Sequence, residues 1–322
     1  MLTAIYAVSH FAVDLACAFA VFTACSAGSF GFLVYNFFAF AMQMPLGLLA
    51  DKLNKNKYIA IFGVILVALV CFLPRFGLTG ACLVGLGNGS FHVGGGLDVL
   101  NISGGRATKL GVFVSPGALG LYLGTLVGRE YLPAIVILLA LSSIAMLLIP
   151  KNTQIANVPV SLPEFHAFPV IAMLFLVVVL RSFGCMAADA PWKVGYWSTL
   201  AVCATVLGKA AGGIFADRFG AFRTGTVSLC AAALLYIPNH IPAAAVAAIF
   251  LFNMTMPITL SVVGQQMHGA KGFSFGLLTF ALFLGYVPVY LGIGGLDGYT
   301  MAAVTLVSAL LLLPVLRKKV PQ

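Results

Sequence analysis

The sequence has very little charge for its length. Of 322 residues only 8 are acidic and 17 are basic, so that 8% of the chain is charged. A soluble domain carries roughly a quarter charged residues, because its surface must face water. With 61% hydrophobic residues and a mean hydropathy of +1.09, this chain has too little polar material to cover itself. The composition therefore excludes an ordinary soluble protein and predicts an integral membrane protein surrounded by lipid.

Several other signatures are missing as well. The first residues lack the basic stretch of a cleavable signal peptide, so the opening apolar run is expected to remain as a first span. No phosphate-binding P-loop is present, which argues against ATP-driven action. The seven cysteines show no metal-ligand spacing, and the basic residues are scattered singly. We therefore expect no metal, no cofactor and no nucleic-acid partner.

The apolar runs predict twelve membrane spans when hydropathy is averaged over about nineteen residues. They are 2–24, 29–50, 58–74, 78–98, 107–128, 131–149, 167–188, 195–216, 222–238, 242–263, 273–293 and 299–316. The loops are short except at the middle of the chain. The sequence thus predicts an all-α integral membrane fold of two six-helix bundles, 1–150 and 167–322, joined by a cytoplasmic linker, 151–166.

Lys and Arg predict the orientation, because they accumulate on the cytoplasmic side of membrane proteins. With a cytoplasmic N-terminus, three fall in outer loops, namely Arg75, Arg129 and Lys193. The inner loops hold Lys52, Lys55, Lys57, Arg106, Lys109, Lys151, Arg218, Arg223, Lys271, Arg317, Lys318 and Lys319. Both termini are therefore expected in the cytoplasm, and the membrane is expected to be a bacterial inner (plasma) membrane.

A short motif recurs after span 2 and after span 8. The first copy is Gly47, Leu48, Leu49, Ala50, Asp51, Lys52, Leu53 and Asn54. The second copy is Gly213, Ile214, Phe215, Ala216, Asp217, Arg218, Phe219 and Gly220, followed by Arg223. The two acids are expected to accept from free amides at the start of a neighbouring helix, and the adjacent cations to pair across the loop. Asn54 and Gly220 stand where a sharp turn needs positive φ.

This repeat resembles the loop signature of the major facilitator superfamily, with Asn54 in the first copy where the family usually has glycine. The resemblance covers the whole chain. It implies two six-helix bundles that rock about a central cavity in a monomer, with the aspartate loops stabilising the outward-open state. The placement of one copy in each half also implies halves related by an axis along the membrane normal.

Three further segments resemble one branch of this family. The run His10-Phe11-Ala12-Val13-Asp14 and the run Gly87-Asn88-Gly89-Ser90-Phe91-His92 are similar to the fosmidomycin-resistance drug exporters. The segment from Gly111 to Gly120 is similar to the glycine-proline motif of the family's antiporters, with Ser115-Pro116 in place of Gly-Pro. These resemblances imply export.

Ionisable side chains in a membrane cost at least ~2.5–3.5 kcal/mol each, so each one indicates a role. His10 and Asp14 are four residues apart and share a helix face. Since an imidazole beside a carboxylate can exchange a proton in the physiological range, we predict Asp14 as the proton-coupling acid and His10 as its partner. The alternative is a structural hydrogen-bonded pair between helices.

Other polar residues inside spans are candidates for substrate binding. Asn88 and His92 share a face of span 4 with Gly85, Gly89 and Gly96, and this face either lines the cavity or allows close helix packing.

Arg181 in span 7 is predicted to attract an anionic or zwitterionic substrate; the alternatives are a carboxylate partner across the cavity or a side chain that snorkels outward. Lys209 either lines an inner vestibule or supports the Asp217 loop, and Asn253 is a further polar candidate. Trp192, Tyr196 and Trp197 are either interface anchors or a substrate gate.

The sequence therefore predicts a secondary active transporter rather than an enzyme, with protons and a small molecule as its partners and lipid around it. The substrate is a small polar molecule, anionic or zwitterionic, or a drug. Proton-coupled export is favoured over import by symport or uniport. A membrane-embedded enzyme would need larger loops to hold its substrate, and a non-transporting sensor would carry a soluble domain.

Overall fold

The computed structural model describes residues 1–317, and Lys318 and Lys319 of the predicted cytoplasmic set lie outside the described residues. Within residues 1–317 the regular structure is helical, apart from two isolated bridges, Cys25 to Phe76 and Ala188 to Leu296. The prediction of an all-α fold is confirmed.

Each predicted span corresponds to one helix of the structure. The first six helices are α1 Leu2–Ala24, α2 Gly28–Leu53, α3 Asn56–Cys71, α4 Leu78–Ser103, α5 Thr108–Gly124 and α6 Leu132–Leu147. The other six are α7 Phe168–Ala187, α8 Tyr196–Phe219, α9 Ala221–Tyr236, α10 Pro242–Gln266, α11 Lys271–Tyr290 and α12 Gly298–Arg317. Eight helical stretches among the described residues are long and apolar enough to cross a membrane, and α3 and α9 are shorter apolar helices.

Two of the helices are interrupted, each for a local reason. The middle of α2 is a π-helical stretch, Phe37–Ala41, and the Gln43 Nε2 donates to the Ala39 carbonyl at 2.5 Å beside it. In α10 the α-helical hydrogen bonds stop after Asn253 and resume at Met256, just before Pro257. Proline has no N–H and its ring clashes with the preceding turn, which explains the break.

The chain forms two compact units. The first comprises Met1–Gly104, Val112–Leu162 and His268–Phe280, and the second comprises Gly105–Gly111, Pro163–Met267 and the chain from Ala281 onward. The first residues of α5 therefore group with the second unit, and the first residues of α11 group with the first unit. The division into 1–150, 151–166 and 167–322 stays a prediction.

Helix α4 is the buried centre of the first unit. Nearly every residue from Gly87 to Leu100 is inaccessible. Its approach to α3 depends on two glycines, because a Cβ at Gly63 would meet the backbone of Gly87 and Phe91, and one at Gly87 would meet the carbonyl of Gly63 at 2.8 Å. Backbones that touch directly leave no room for a side chain, so this pair fixes the distance between the two helices.

The contact between α3 and α4 predicts that Gly87→Ala destabilises the protein by about 1–3 kcal/mol, as overpacking of a tight interior does. The matched control is Gly77→Ala, because nothing lies within 4 Å of a Cβ at Gly77. Thermal unfolding of the purified protein in detergent measures the difference. Equal unfolding midpoints for the two variants would show that the helices are not held at this distance.

Candidate functional site

Four polar side chains from α1 and α4 meet inside the first unit. His10 and Asp14 lie one turn apart on α1, each 5% exposed, and Asn88 and His92 lie one turn apart on α4. The Asp14 carboxylate accepts a hydrogen bond from the Asn88 Nδ2 at 3.0 Å. Its oxygens lie 3.2 Å from the His10 Nε2 and 3.7 Å from the His92 Nε2. We call these four residues the Asp14 cluster.

The partners of the two imidazoles assign their protons. The His10 Nδ1 lies 2.7 Å from the Phe113 carbonyl oxygen, and the His92 Nδ1 lies 2.9 Å from the Asn88 carbonyl oxygen. A carbonyl oxygen only accepts, so each Nδ1 carries a hydrogen. In the neutral form each Nε2 would then present a lone pair, yet the two Nε2 atoms are 2.8 Å apart. A proton shared between them would turn this repulsion into a hydrogen bond, and the resulting cation would lie beside the Asp14 carboxylate.

The same atoms are a conceivable metal site, since His10, Asp14 and His92 offer ligand atoms within 4.8 Å of one another. However, two imidazole nitrogens bound to tetrahedral zinc are separated by roughly 3.3 Å, given zinc–nitrogen bonds near 2.05 Å. The separation here is 2.8 Å, which is the length of a hydrogen bond. The geometry therefore fits a shared proton better than tetrahedral zinc.

Helix α5 closes the Asp14 cluster with a glycine. A Cβ at Gly117 would collide with the His10 Nε2 and the Asp14 Oδ2, and one at Gly120 would collide with the Phe11 carbonyl. Glycine at these positions lets α5 lie directly on α1. The segment that resembles the antiporter glycine-proline motif, with Pro116 inside the helix, thus contacts the predicted coupling pair.

The glycines and the polar side chains on this face of α4 have different roles. Gly85 and Gly89 pack against the π-helical stretch of α2, and Gly96 packs against the Phe275 ring, so the glycines serve close packing. Asn88 and His92 join the Asp14 cluster. A direct contact of either residue with substrate stays a prediction.

The two motif acids make equivalent contacts. Asp51 accepts from the backbone N–H groups of Gly272 at 2.8 Å and Phe273 at 2.9 Å, at the start of α11. Asp217 accepts from the N–H groups of Ala107 at 2.8 Å and Thr108 at 2.9 Å, at the start of α5. The first N–H groups of a helix have no partner within it, and a carboxylate both accepts from them and complements the helix dipole.

The other motif residues have separate roles. Gly47 and Gly213 allow close backbone contact with Gly272 and Ala107 respectively. Asn54 at φ 51° and Gly220 at φ 91° adopt the positive φ that the turn requires. The prediction that the motif cations pair across the loop is wrong, because among residues 1–317 no acid lies within 4.0 Å of their charged groups. These cations are exposed to solvent, which competes for them: Lys52, Arg218 and Arg223.

A second buried hydrogen-bond network, around Asp98 and Asn157, was not predicted from the sequence. The Tyr6 hydroxyl donates to the Asp98 Oδ2 at 2.6 Å, and the Asn56 Nδ2 donates to the Asp98 Oδ1 at 2.8 Å. The Asn157 Oδ1 from the linker accepts from the Nδ2 groups of Asn56 and Asn101, each at 2.8 Å. Asp98 is an acid inside a predicted span, so the sequence alone could have indicated that it needs buried partners. Asn157 carries no such signal, because nothing in a loop sequence indicates which helix ends it will cap.

The main candidate of the second half is Arg181, a cation inside α7. Arg181 is buried, with its guanidinium 5.2 Å from the centre of the Phe252 ring and its Nε without a hydrogen-bond partner. Within residues 1–317 no carboxylate lies within 4.0 Å of it, and only 7% of the residue is exposed, so neither a carboxylate partner nor an outward-directed side chain is seen in this structure. Its role towards substrate stays a prediction. Asn253 donates to the Ile249 carbonyl of its own helix at 2.8 Å.

A cavity of about 340 Å³ lies within the second unit. Its walls come from α7 to α10, from α12 and from the loop after α7. The lining includes Asn253, Thr205 and Trp192, while Lys209 stands one turn after Thr205 on α8. Tyr196 and Trp197 pack on each other at 4.9 Å between ring centres. Of the three aromatic residues named from the sequence, Trp192 is therefore the one that lines this cavity.

The carboxylate contacts predict that amide hydrogen exchange responds locally to substitution. Asp217→Ala should accelerate exchange at the start of α5, at Ala107 and Thr108, while leaving Gly272 and Phe273 protected. Asp51→Ala should do the reverse, so each variant is the control for the other. Because hydrogen bonds to charged groups contribute about 1.5–3 kcal/mol, we expect acceleration of roughly ten- to a hundred-fold. Unchanged protection in both variants would show that the acids do not hold these helix starts.

Comparisons with known proteins report on the fold. No protein-family model matches the sequence, and no curated protein matches it. Among solved structures, the E. coli fucose:proton symporter is similar over 97% of this chain and 96% of its own, with 14% identity and a TM-score of 0.63. A major facilitator superfamily structure of that transporter in the outward conformation covers 99% and 98%, with 14% identity and a TM-score of 0.66.

A human protein shares the same architecture. The organic anion transporter MFSD10 is similar over 96% of this chain and 83% of its own, with 13% identity and a TM-score of 0.57. The likeness extends over nearly all twelve helices, and it agrees with the motif repeated after α2 and α8. The chain therefore has the fold of the major facilitator superfamily.

Proposed function

We propose that this protein is a secondary active transporter that uses the proton gradient to export a small polar molecule, anionic or zwitterionic, or a drug, by alternating access. It acts as a monomer in a bacterial inner membrane with both termini in the cytoplasm. The observation that carries the proposal is the 2.8 Å separation of the His10 and His92 Nε2 atoms beside Asp14, the distance of a hydrogen bond that a shared proton would form.

The proton and the helix arrangement depend on each other. With the proton present, the two imidazoles bind each other and the cation is neutralised by the Asp14 carboxylate. When the proton leaves, two lone pairs oppose each other at 2.8 Å beside a carboxylate in a buried site. That repulsion is relieved when α4 moves relative to α1. Loss of the proton therefore favours a different packing of these helices, which is what proton coupling needs.

Helix α5 provides a physical connection from the Asp14 cluster to a motif loop. Its Phe113 carbonyl accepts from His10, and its Gly117 lies on His10 and Asp14. The same continuous helix begins at Thr108, whose N–H is held by Asp217. A shift of α5 that follows a change of protonation would therefore alter the Asp217 contact. We propose that this contact, and the equivalent one of Asp51, must break when the protein opens to the cytoplasm.

The substrate would bind in the second unit. Arg181 supplies a buried positive charge that has no acid within 4.0 Å among residues 1–317. Asn253 lines the neighbouring cavity, and Lys209 stands one turn after the lining residue Thr205 on α8. An anionic or zwitterionic substrate complements this charge. One similar structure is an organic anion transporter, which is compatible with the same substrate chemistry.

Import coupled to protons is the second candidate. The observation that favours it is the likeness to a fucose:proton symporter, in which substrate and proton move in the same direction. The resemblance of the Ser115-Pro116 segment to an antiporter motif favours export instead. The sign of the proton flux that a substrate gradient drives distinguishes the two.

Proton flux in proteoliposomes tests the function. Liposomes with an internal pH dye are challenged with pools of metabolites and antibacterial compounds, for the parent protein and for Asp14→Asn. We expect at least one pool to drive proton flux in the parent, and Asp14→Asn to reduce that flux to the level of empty liposomes. Asparagine keeps the size of the side chain but carries no negative charge to neutralise a proton shared by His10 and His92, which explains the loss.

Asp297→Asn is the matched control. Asp297 lies in the loop before α12, fully outside the Asp14 cluster, and a hydrogen bond from the Thr300 backbone N–H lowers the pKa of its carboxyl below the usual value. Asparagine caps a helix about as well, so flux should be unchanged. Equal flux in parent and Asp14→Asn would remove Asp14 from the mechanism. Transport of labelled compounds without proton movement would refute proton coupling altogether.

A further inference from the structure

The cavity of the second unit lies one layer of side chains from the buried cation. Cys185 and Tyr236 line the cavity, and Cys185 lies one turn after Arg181 on α7. The Tyr236 ring packs on the Phe252 ring with 5.8 Å between centres, and Arg181 lies over Phe252. The guanidinium therefore stands directly behind this wall of the cavity, among uncharged neighbours.

The electrostatic balance around the cavity is positive. A buried charge without a partner is costly, and Arg181 has neither an acid within 4.0 Å among residues 1–317 nor a hydrogen bond to its Nε. Lys193 lines the cavity, and Lys209 stands one turn after the lining residue Thr205. Among the residues that line the cavity, Asp189 contributes the one carboxylate. A negatively charged ligand would supply the missing partner.

The rest of the lining is suited to an apolar body. Aromatic and aliphatic side chains make up much of the wall: Met186, Trp192, Val202, Tyr236, Ile249 and Met301. Thr205, Asn239 and Asn253 offer a few hydrogen bonds among them. The volume of about 340 Å³ is at the lower end of the roughly 300–1,000 Å³ found for ligand pockets, so the ligand is small.

We propose that this cavity binds a small organic anion, with its carboxylate directed towards Arg181 and an aromatic or aliphatic body against Trp192 and Tyr236. The guanidinium would attract the carboxylate across the side chains that separate it from the cavity, and its own Nε–H has no protein partner. The inference rests on the proposed transport function in taking this cavity as the substrate site, and it goes further in naming the class of substrate.

The chain contains its own probe for a binding test. It has two tryptophans, so Trp197→Phe leaves Trp192, at the cavity, as the one indole. Purified Trp197→Phe protein is titrated near neutral pH with benzoate, benzyl alcohol and benzylamine, which share a ring and differ in charge. We expect a saturable fluorescence change with benzoate, at an affinity at least about ten-fold higher than that of either analogue.

Substitution of the cation then tests its role. Arg181→Gln in the same background should abolish the preference for benzoate, whereas Arg75→Gln, which removes an exposed cation of the first unit, should leave it unchanged. If Arg181→Gln does not fold, the comparison of the three ligands on the parent background still decides the charge of the ligand, and Arg181→Lys replaces it as the variant. Lysine keeps the positive charge, so benzoate should still bind more tightly than benzyl alcohol and benzylamine.

Three results would overturn the proposal. Benzyl alcohol or benzylamine could bind as tightly as benzoate, benzoate could give no saturable change, or its preference could persist in Arg181→Gln. The test does not depend on transport. Anion binding without proton flux and without uptake of the labelled anion in proteoliposomes would refute the transport function and keep the site. Proton flux driven by substrates, together with absence of benzoate binding, would do the opposite.

Discussion

Much of this structure follows from one constraint: a polar group that is buried in a membrane protein must find its partner inside the protein. Asp14 satisfies it with Asn88 and two imidazoles. Arg181 does not satisfy it, since its neighbours among the described residues are rings and uncharged groups. This difference in partners distinguishes the Asp14 cluster from the surroundings of Arg181. The complete set of partners at Asp14 underlies the proposal that protons act there, and the incomplete set at Arg181 underlies the proposal that an anion binds near it.

The same constraint explains why glycine recurs where polar groups meet. The Asp14 cluster can form because α5 approaches α1 at Gly117 and Gly120, and α4 approaches α3 at Gly63 and Gly87. At these distances a small displacement of one backbone changes every hydrogen bond at the contact. Close packing therefore makes the cluster sensitive to movement, and makes the helices sensitive to its protonation.

The linker takes part in this packing. Asn157 receives hydrogen bonds from Asn56 and Asn101 and donates to the Ala50 carbonyl at 3.0 Å, so one side chain joins the ends of α2, α3 and α4. Further along, the Ser161 N–H donates to the Gly269 carbonyl just before α11. The segment between the two predicted bundles thus contacts the chain just before α11, next to the amides that Asp51 binds. It packs against helices as well as connecting them.

The sequence by itself determined the membrane class, the twelve helices and the repeated motif, because long apolar runs and local turns depend on neighbouring residues alone. It also determined that His10 and Asp14 share a face, since four residues make about one helical turn. Only the tertiary structure brought His92 to His10, which are 82 positions apart in the sequence. It also placed the Phe113 and Asn88 carbonyls against the two Nδ1 atoms. Among residues 1–317 it left Arg181 with no acid within 4.0 Å. These contacts join different helices. Hydropathy records how apolar each helix is, and not which of its faces meets which neighbour or how closely.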